Sequence, residues 1–224
     1  KSFGNAAIFG GSYGWASAGR FHHAQSQLHR FLNCIGGYTK SKFTYSFAAA
    51  EAVVPHILGS YRAYLDTCTS WESIKDNTKL FVCFGGIPLK NGQICQGGTG
   101  HHYQREGLIA AAKADINFVN ISPLKSDLLD QVNGEWLAPR PNTDTAILLA
   151  IAHTLQVEGL SDQKFLDTYT EGFDQFLPYL IGESDGVAKT ADWAAEISEI
   201  PAETIRVLAR RMVAQRTMIS VRWS

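Results

Sequence analysis

The chain has 224 residues, 45% of them hydrophobic, a formal net charge of −1 and four cysteines. That length and apolar content suffice for a substantial core. The balanced charge argues against nucleic acid as the main partner, and no apolar run approaches the roughly 18 residues that span a bilayer. Cys34, Cys68, Cys83 and Cys95 form no Cys-x-x-Cys pair, so neither a zinc ribbon nor a cysteine-ligated iron–sulfur motif is supported.

In chain order, residues 6–9 read as a strand running into Gly10-Gly11-Ser12-Tyr13-Gly14-Trp15, where glycines permit a sharp turn and close approach to a ligand. A helix is expected over 18–34, with Leu28, Phe31 and Leu32 on one face and Gly36-Gly37 ending it. Residues 38–45 read as a loop and 46–58 as an alanine-rich helix with Pro55 near its end. Residues 79–84 form a near-continuous apolar run, the pattern of a strand buried on both faces of a parallel sheet, and stop at Gly85-Gly86-Ile87-Pro88. A helix over 104–114 turns Leu108, Ile109 and Ala112 inward. A second strand over 117–121 ends at Ser122-Pro123, and 135–138 is a third short strand.

The remainder is mostly helical: 143–156, capped by Thr143 or Asn142, then 162–169, 173–180, 190–197 and 201–214, the last with Pro201 in its first turn. A closing strand covers 217–221. Strands alternating with helices predict an α/β fold, an open and mostly parallel sheet flanked by helices with right-handed crossovers. Ligands on such sheets bind beyond the C-terminal ends of the strands. Both ends of the chain read as strands, which suggests an internal fragment of a larger multidomain protein.

Read alone, Gly10-Gly11-Ser12-Tyr13-Gly14 matches the Gly-x-Ser-x-Gly elbow of serine hydrolases. Such a nucleophile needs a histidine base and an orienting acid. His153 falls in mid-helix and His101-His102 in a glycine-rich loop, which fits that role poorly. A glycine-rich turn with a capping serine, or a non-catalytic nucleotide-binding module, also satisfies the pattern.

The longer stretches change the balance. Gly10 to Trp15, Gly19-Arg20-Phe21-His22-His23, Val54-Pro55-His56, Asn142-Thr143-Asp144-Thr145-Ala146 and Lys189-Thr190-Ala191-Asp192-Trp193, in this order, resemble the dimethyl sulfoxide, trimethylamine N-oxide and biotin sulfoxide reductases. The resemblance implies a cofactor of molybdenum with bis(molybdopterin guanine dinucleotide), a small S- or N-oxide substrate, and an electron-donor protein or reduced nicotinamide cofactor. It implies a periplasmic or a cytoplasmic location. Ser12 is then the catalytic metal ligand, a hard alkoxide oxygen suited to a high-valent metal. Residues 1–45 belong to a neighbouring domain and 46–224 to a guanosine-binding α/β domain.

In that domain Gly85, Gly86, Ile87 and Pro88 form the first nucleotide loop, and Lys90 offsets phosphate charge. Ser122 and Pro123 form the second loop, Lys125 stands where relatives usually carry arginine, and Asp144 accepts from the guanine N1 and N2 donors. Two departures stand out: Gly85-Gly86 where many relatives have a tryptophan, and Ser122 where many have aspartate or asparagine. The pterins are expected to contact parts of the parent enzyme outside this span as well, so that this chain alone holds the cofactor weakly. Tyr13, Trp15 and Trp71 are candidate pocket aromatics, whereas Trp193 and Cys83 read as core.

Overall fold

The structure, a computed structural model, describes residues 2–12, 21–44, 47–62, 67–93 and 100–222. It divides into two compact units, Lys1–Cys68 with Leu89–Glu106 and Trp223–Ser224, and Thr69–Pro88 with Gly107–Arg222. The alanine-rich helix falls within the first of these units.

The first unit contains a small βαβ motif. Strand β1 (Phe9–Gly10) and strand β2 (Thr39–Lys40) pair in parallel, linked by helix α1 (Ala24–Cys34). The strand expected over 6–9 starts later, because Asn5–Ala7 closes a 3-10 turn in which Ala7 N–H donates to Gly4 O. Neither alanine brings the branched side chain that favours extended backbone. Thr39 N–H donates to Ile8 O at 2.8 Å, and its hydroxyl to Ala6 O at 2.7 Å, fixing β2 beside β1. Helix α1 begins at Ala24, later than expected, with the His23 ring accepting from Ser26 N–H as its cap; residues 18–20 lie outside the described residues. Of its expected face, Leu32 is buried and Phe31 is exposed. Helix α2 (Ala48–Leu58) follows, with Pro55 in its last turn.

The second unit is built on four parallel strands: β3 (Leu80–Phe84), β4 (Asn117–Ile121), β5 (Glu135–Leu137) and β6 (Thr217–Val221). Their spatial order is β5-β4-β3-β6. The chain steps outward from β3 to β4 to β5, then returns to pair β6 on the other side of β3. The register aligns Phe84 with Ile121 and with Val221, and Ile121 with Leu137, so all four strands end level. The ladder runs one residue further: Gly85 N–H donates to Ile121 O, Ser122 N–H to Leu137 O, and Arg222 N–H to Phe84 O.

All five residues of β3 are buried, as the apolar run requires of a central strand. Its two faces bury different partners. Leu80, Val82 and Phe84, with Val119 and Ile121, pack against helices α5 (Asp144–Val157), α8 (Ala191–Ser198) and α9 (Ala202–Ala214) through Ile147, Ile151, Ala194, Ile205 and Leu208. Each valine, leucine, isoleucine or phenylalanine among them contributes about 1.5–3 kcal/mol by leaving water. On the opposite face Phe81 stacks on Phe118 at 5.3 Å and meets Trp71 of helix α3 (Trp71–Asn77) at 6.5 Å. Trp71 is thus a packing residue of this unit.

Gly107, in helix α4 (Gln104–Lys113), lies under the Trp71 indole, where a Cβ would come within 2.3 Å of the ring. Helices α6 (Gln163–Tyr169) and α7 (Phe173–Leu180) complete the unit. In their wake Lys189, 2% exposed, places its ammonium 2.7 Å from Asp185 and 4.1 Å from the Tyr179 ring centroid, with Trp193 beside it. Trp193 also packs against the core, as expected.

Candidate functional site

The level strand ends of the second unit carry the expected loops to one edge of the sheet. The order of strands reverses between β3 and β6, and open parallel sheets take ligands at such a reversal, beyond the strands' C-terminal ends. Gly85 and Gly86 leave β3 here with φ of +81° and +68°, backbone that side-chain-bearing residues rarely adopt. A Cβ on Gly86 would lie 2.4 Å from the Asp127 carbonyl oxygen, and one on Gly85 would lie 3.1 Å from Arg222 Cβ. The glycines therefore admit close neighbours from the β4–β5 connection and from the end of β6.

The loop's backbone donors are already committed. Gly85 N–H donates to Ile121 O at 2.8 Å, Gly86 N–H to Cys83 O at 3.4 Å, and Ile87 N–H to Asp127 O at 2.6 Å, while Pro88 has none. The glycines shape a close-packed edge and do not form a cradle of free amides. Ser122 is 1% exposed; its hydroxyl donates to Asp127 Oδ2 at 2.7 Å and accepts from Leu124 N–H. Ser122 thus holds Asp127 in place from inside.

Asp127 is buried as well, and Arg222 Nη2 approaches the same carboxylate oxygen at 3.8 Å, within ion-pair range and beyond a hydrogen bond. Arg222 Nη1 is buried without a hydrogen-bond partner. Asn120 Nδ2 donates to Lys125 O, and its buried Oδ1 likewise lacks a partner. Asn120 borders a recess of about 370 Å³ shared with Lys125, Asp130 and Trp136, whose indole N–H donates to Ser122 O.

The other expected residues are dispersed. Pro123 and Lys125 are exposed on the turn after β4. Asp144 is half-buried as the first residue of α5, where a helix N-terminus favours a negative charge. Thr143 occupies the cap position, but its hydroxyl donates to Arg140 O instead of to the helix amides. Lys90, on a 3-10 turn at Leu89–Gly92, belongs to the first compact unit and is exposed. His101 and His102 are exposed, and His101 stacks on Tyr103 at 4.4 Å.

Asp127, Arg222 and Asn120 were not visible as site residues in the sequence. Asn120 is a polar residue within β4, Asp127 lies on the turn after it and Arg222 just past β6, and only the strand order shows that 127 and 222 meet. A cleft of about 890 Å³ opens instead where β4 and β5 begin, lined by Lys113, Asp115, Asn117, Glu135 and Arg211. That is the edge opposite the glycine loops, and the strand-end rule assigns the ligand to the loop edge.

In the first unit Ser12 stands just past the C-terminal end of β1 and is half-buried. Its approach is fixed by packing: a Cβ on Gly10 would come within 2.3 Å of the Tyr38 ring and 2.5 Å of Leu32, so only glycine lets the strand pass beneath them. Tyr13, Gly14, Trp15 and Cys95 lie outside the described residues. Among the described residues no group of three or more His, Cys, Asp or Glu side chains is placed to hold a metal. A serine-ligated metal whose other donors come from an organic group is compatible with that. Cys83 is wholly buried, and burial pushes its thiol well above the usual range, as a core cysteine requires.

A parallel sheet flanked by helices, with glycine loops at its strand ends, defines an open α/β protein of the kind that takes ligands at that edge. Residues 1–221 match the molybdopterin oxidoreductase family, and the chain belongs to it. It is 42% identical over its whole length to the dimethyl sulfoxide/trimethylamine N-oxide reductase of Cereibacter sphaeroides, spanning 27% of that protein. It is 43% identical over 99% of its length to the biotin sulfoxide reductase of the same organism, spanning 30% of it. Identity is 38% over 98% of the chain to the trimethylamine-N-oxide reductase of Haemophilus influenzae, spanning 26% of it.

The chain thus covers little more than a quarter of these relatives. Acetylene hydratase from Pelobacter acetylenicus shares the fold, with a TM-score of 0.60 and 23% identity over 88% of this chain and 24% of that one. The family match extends through Gly10 to Gly14 and displaces the hydrolase reading of that stretch. The family implies a molybdenum–molybdopterin cofactor. Each unit by itself offers groups that fit: in the first a half-buried serine at the end of β1, and in the second glycines, a buried carboxylate and an arginine with one unpaired nitrogen at the strand ends.

Proposed function

We propose that the chain is the segment of an S- or N-oxide reductase that supplies the metal-ligand serine and the nucleotide-binding sheet. The observation that carries this reading is the similarity, over the whole chain, to reductases of dimethyl sulfoxide, trimethylamine N-oxide and biotin sulfoxide. The overall reaction takes up two electrons and two protons and converts the oxide to the sulfide or amine plus water. When bound, the molybdenum–pterin group supplies the oxygen-atom transfer and the two-electron chemistry. The electrons come from an external donor, a protein or a reduced nicotinamide.

The chain's own residues bind and orient. Ser12 offers a hard oxygen to the metal, held at the end of β1 by Gly10 packed under Leu32 and Tyr38. Gly85, Gly86, Ile87 and Pro88 shape the strand-end surface for the nucleotide part of a bis(molybdopterin guanine dinucleotide) form of the cofactor. Ser122 fixes Asp127 beneath it. Pro123 follows the end of β4, and Lys125 adds positive charge on the turn there for the phosphates. Asp144 accepts from the guanine edge with the carboxylate placed at the N-terminus of α5.

The test is Ser12→Ala, with Ser12→Cys beside it, in the full-length parent enzyme. Molybdenum content, the paramagnetic and visible spectra of the metal, and turnover with the three oxides are measured. Ser12→Ala is expected to lose turnover and to change the metal spectrum, and Ser12→Cys to give a distinct sulfur-ligated spectrum. An unchanged spectrum and full turnover in Ser12→Ala would refute the assignment.

A further inference from the structure

We infer that Arg222 is the group that receives the phosphate of the cofactor's nucleotide arm at the strand-end edge, an inference that rests on the reading just given. Three observations point to it. The first is position. Arg222 follows β6 directly, beside Gly85 at the end of β3, and the strand order reverses between these two strands. Its backbone N–H donates to Phe84 O, which anchors the residue to the sheet.

The second is elimination of other donors in the loop. The amides of Gly85, Gly86 and Ile87 all donate within the protein, Pro88 has none, and the Ser122 hydroxyl is held by Asp127. Residues 85–88 therefore leave no backbone donor for an anion arriving at the end of β3, and the nearest described cation is Arg222.

The third is the state of the guanidinium. It presents five donors in a rigid fork, and among the described residues its side chain makes no hydrogen bond. Asp127 lies 3.8 Å away, near enough to orient the charge and too far to take a donor, and Nη1 is buried without a partner. Buried polar groups in folded proteins are nearly always satisfied, so an unpaired donor calls for an acceptor. The side chain as a whole is 27% exposed, so part of it reaches solvent. A phosphate supplies paired acceptor oxygens that match the fork bidentately, and a partly desolvated cation is screened less than Lys125, which stands in water on the turn.

The experiment uses the full-length parent protein in its cofactor-free form, with GDP and guanosine as probes in titration calorimetry. The released nucleotide and pterin content of the holoprotein are measured in parallel. The wild type is expected to bind GDP at least tenfold more tightly than guanosine. Arg222→Gln is expected to erase that preference, a loss of roughly ten- to a hundredfold for GDP, with guanosine affinity unchanged. Lys113→Gln, at the opposite edge of the sheet, is expected to keep the preference.

If Arg222→Gln does not fold, Arg222→Lys decides. A several-fold loss specific to GDP, from losing the fork while keeping the charge, supports the inference, and undiminished GDP affinity overturns it. A preference for GDP that survives in Arg222→Gln, or that vanishes in Lys113→Gln, overturns the assignment to Arg222 while leaving the cofactor reading intact. A wild-type protein that carries no pterin and binds neither probe overturns both.

Discussion

Gly86→Ala and Gly159→Ala form a matched pair that separates backbone strain from collision. The two glycines share the same left-handed backbone, φ +68° and +67°. Alanine in that conformation costs about 1 kcal/mol relative to glycine. At Gly159 a Cβ meets nothing within 4 Å, so this term stands alone. At Gly86 a Cβ would lie 2.4 Å from the Asp127 carbonyl oxygen and 2.6 Å from Asp127 Cβ, atoms that no side-chain rotation moves away.

The segment 85–87 must therefore lift, and the bond from Ile87 N–H to Asp127 O at 2.6 Å is what yields. Losing it costs about 1–3 kcal/mol more, giving roughly 2–4 kcal/mol for Gly86→Ala against about 1 kcal/mol for Gly159→Ala. In melting temperature this is roughly 4–16 °C against 2–4 °C for a unit of this size. Urea unfolding followed by tryptophan fluorescence and far-ultraviolet circular dichroism reads both. Equal losses for the two variants, to within about 0.5 kcal/mol, would mean that Gly86 is not in contact with Asp127 and would refute the packing derived for the site.

Two further predictions concern Lys189. Lys189→Met keeps the volume but removes the cation lying 4.1 Å from the Tyr179 ring centroid, and a loss of about 1–2 kcal/mol is expected in the same urea assay; an unchanged midpoint would dismiss the interaction. The Lys189 ammonium also holds the Asp185 carboxyl below its ordinary value of 3.8, chiefly by hydrogen bonding. The folded value is the depressed one, so the stabilisation is fully present above the unfolded value and disappears as pH falls through the folded one. Unfolding midpoints should therefore decline from about pH 4 downward, and Asp185→Asn should flatten that decline; an identical acid profile in the variant would count against the pair.

The parts of the fold that were plain in the sequence are those in which one physical signal dominates. The apolar runs of β3 and β4 have no reading other than a two-sided core, and their bounds agree with the structure to within a residue. Helix α9 was legible from Ile205, Leu208, Ala209 and the proline before it. Helix α3 went unread because seven residues with two apolar positions carry too little periodicity.

The site was half legible. Glycines after a strand mark where a ligand edge lies, but not that their amides face inward. That Ser122 turns its hydroxyl to Asp127 depends on the short 3-10 turn Lys125–Asp127, which folds the chain back over five residues. The meeting of Arg222 with Asp127 depends on β6 returning beside β3, a fact of topology that no local pattern contains.

The committed amides of residues 85–87 have a consequence for how the parent enzyme is assembled. A loop whose donors are satisfied by its own protein keeps its shape before any cofactor arrives. Insertion then pays little ordering entropy at this edge. On the function proposed above, a prosthetic group then fills a socket that is already finished, and the folded apoprotein is itself the acceptor.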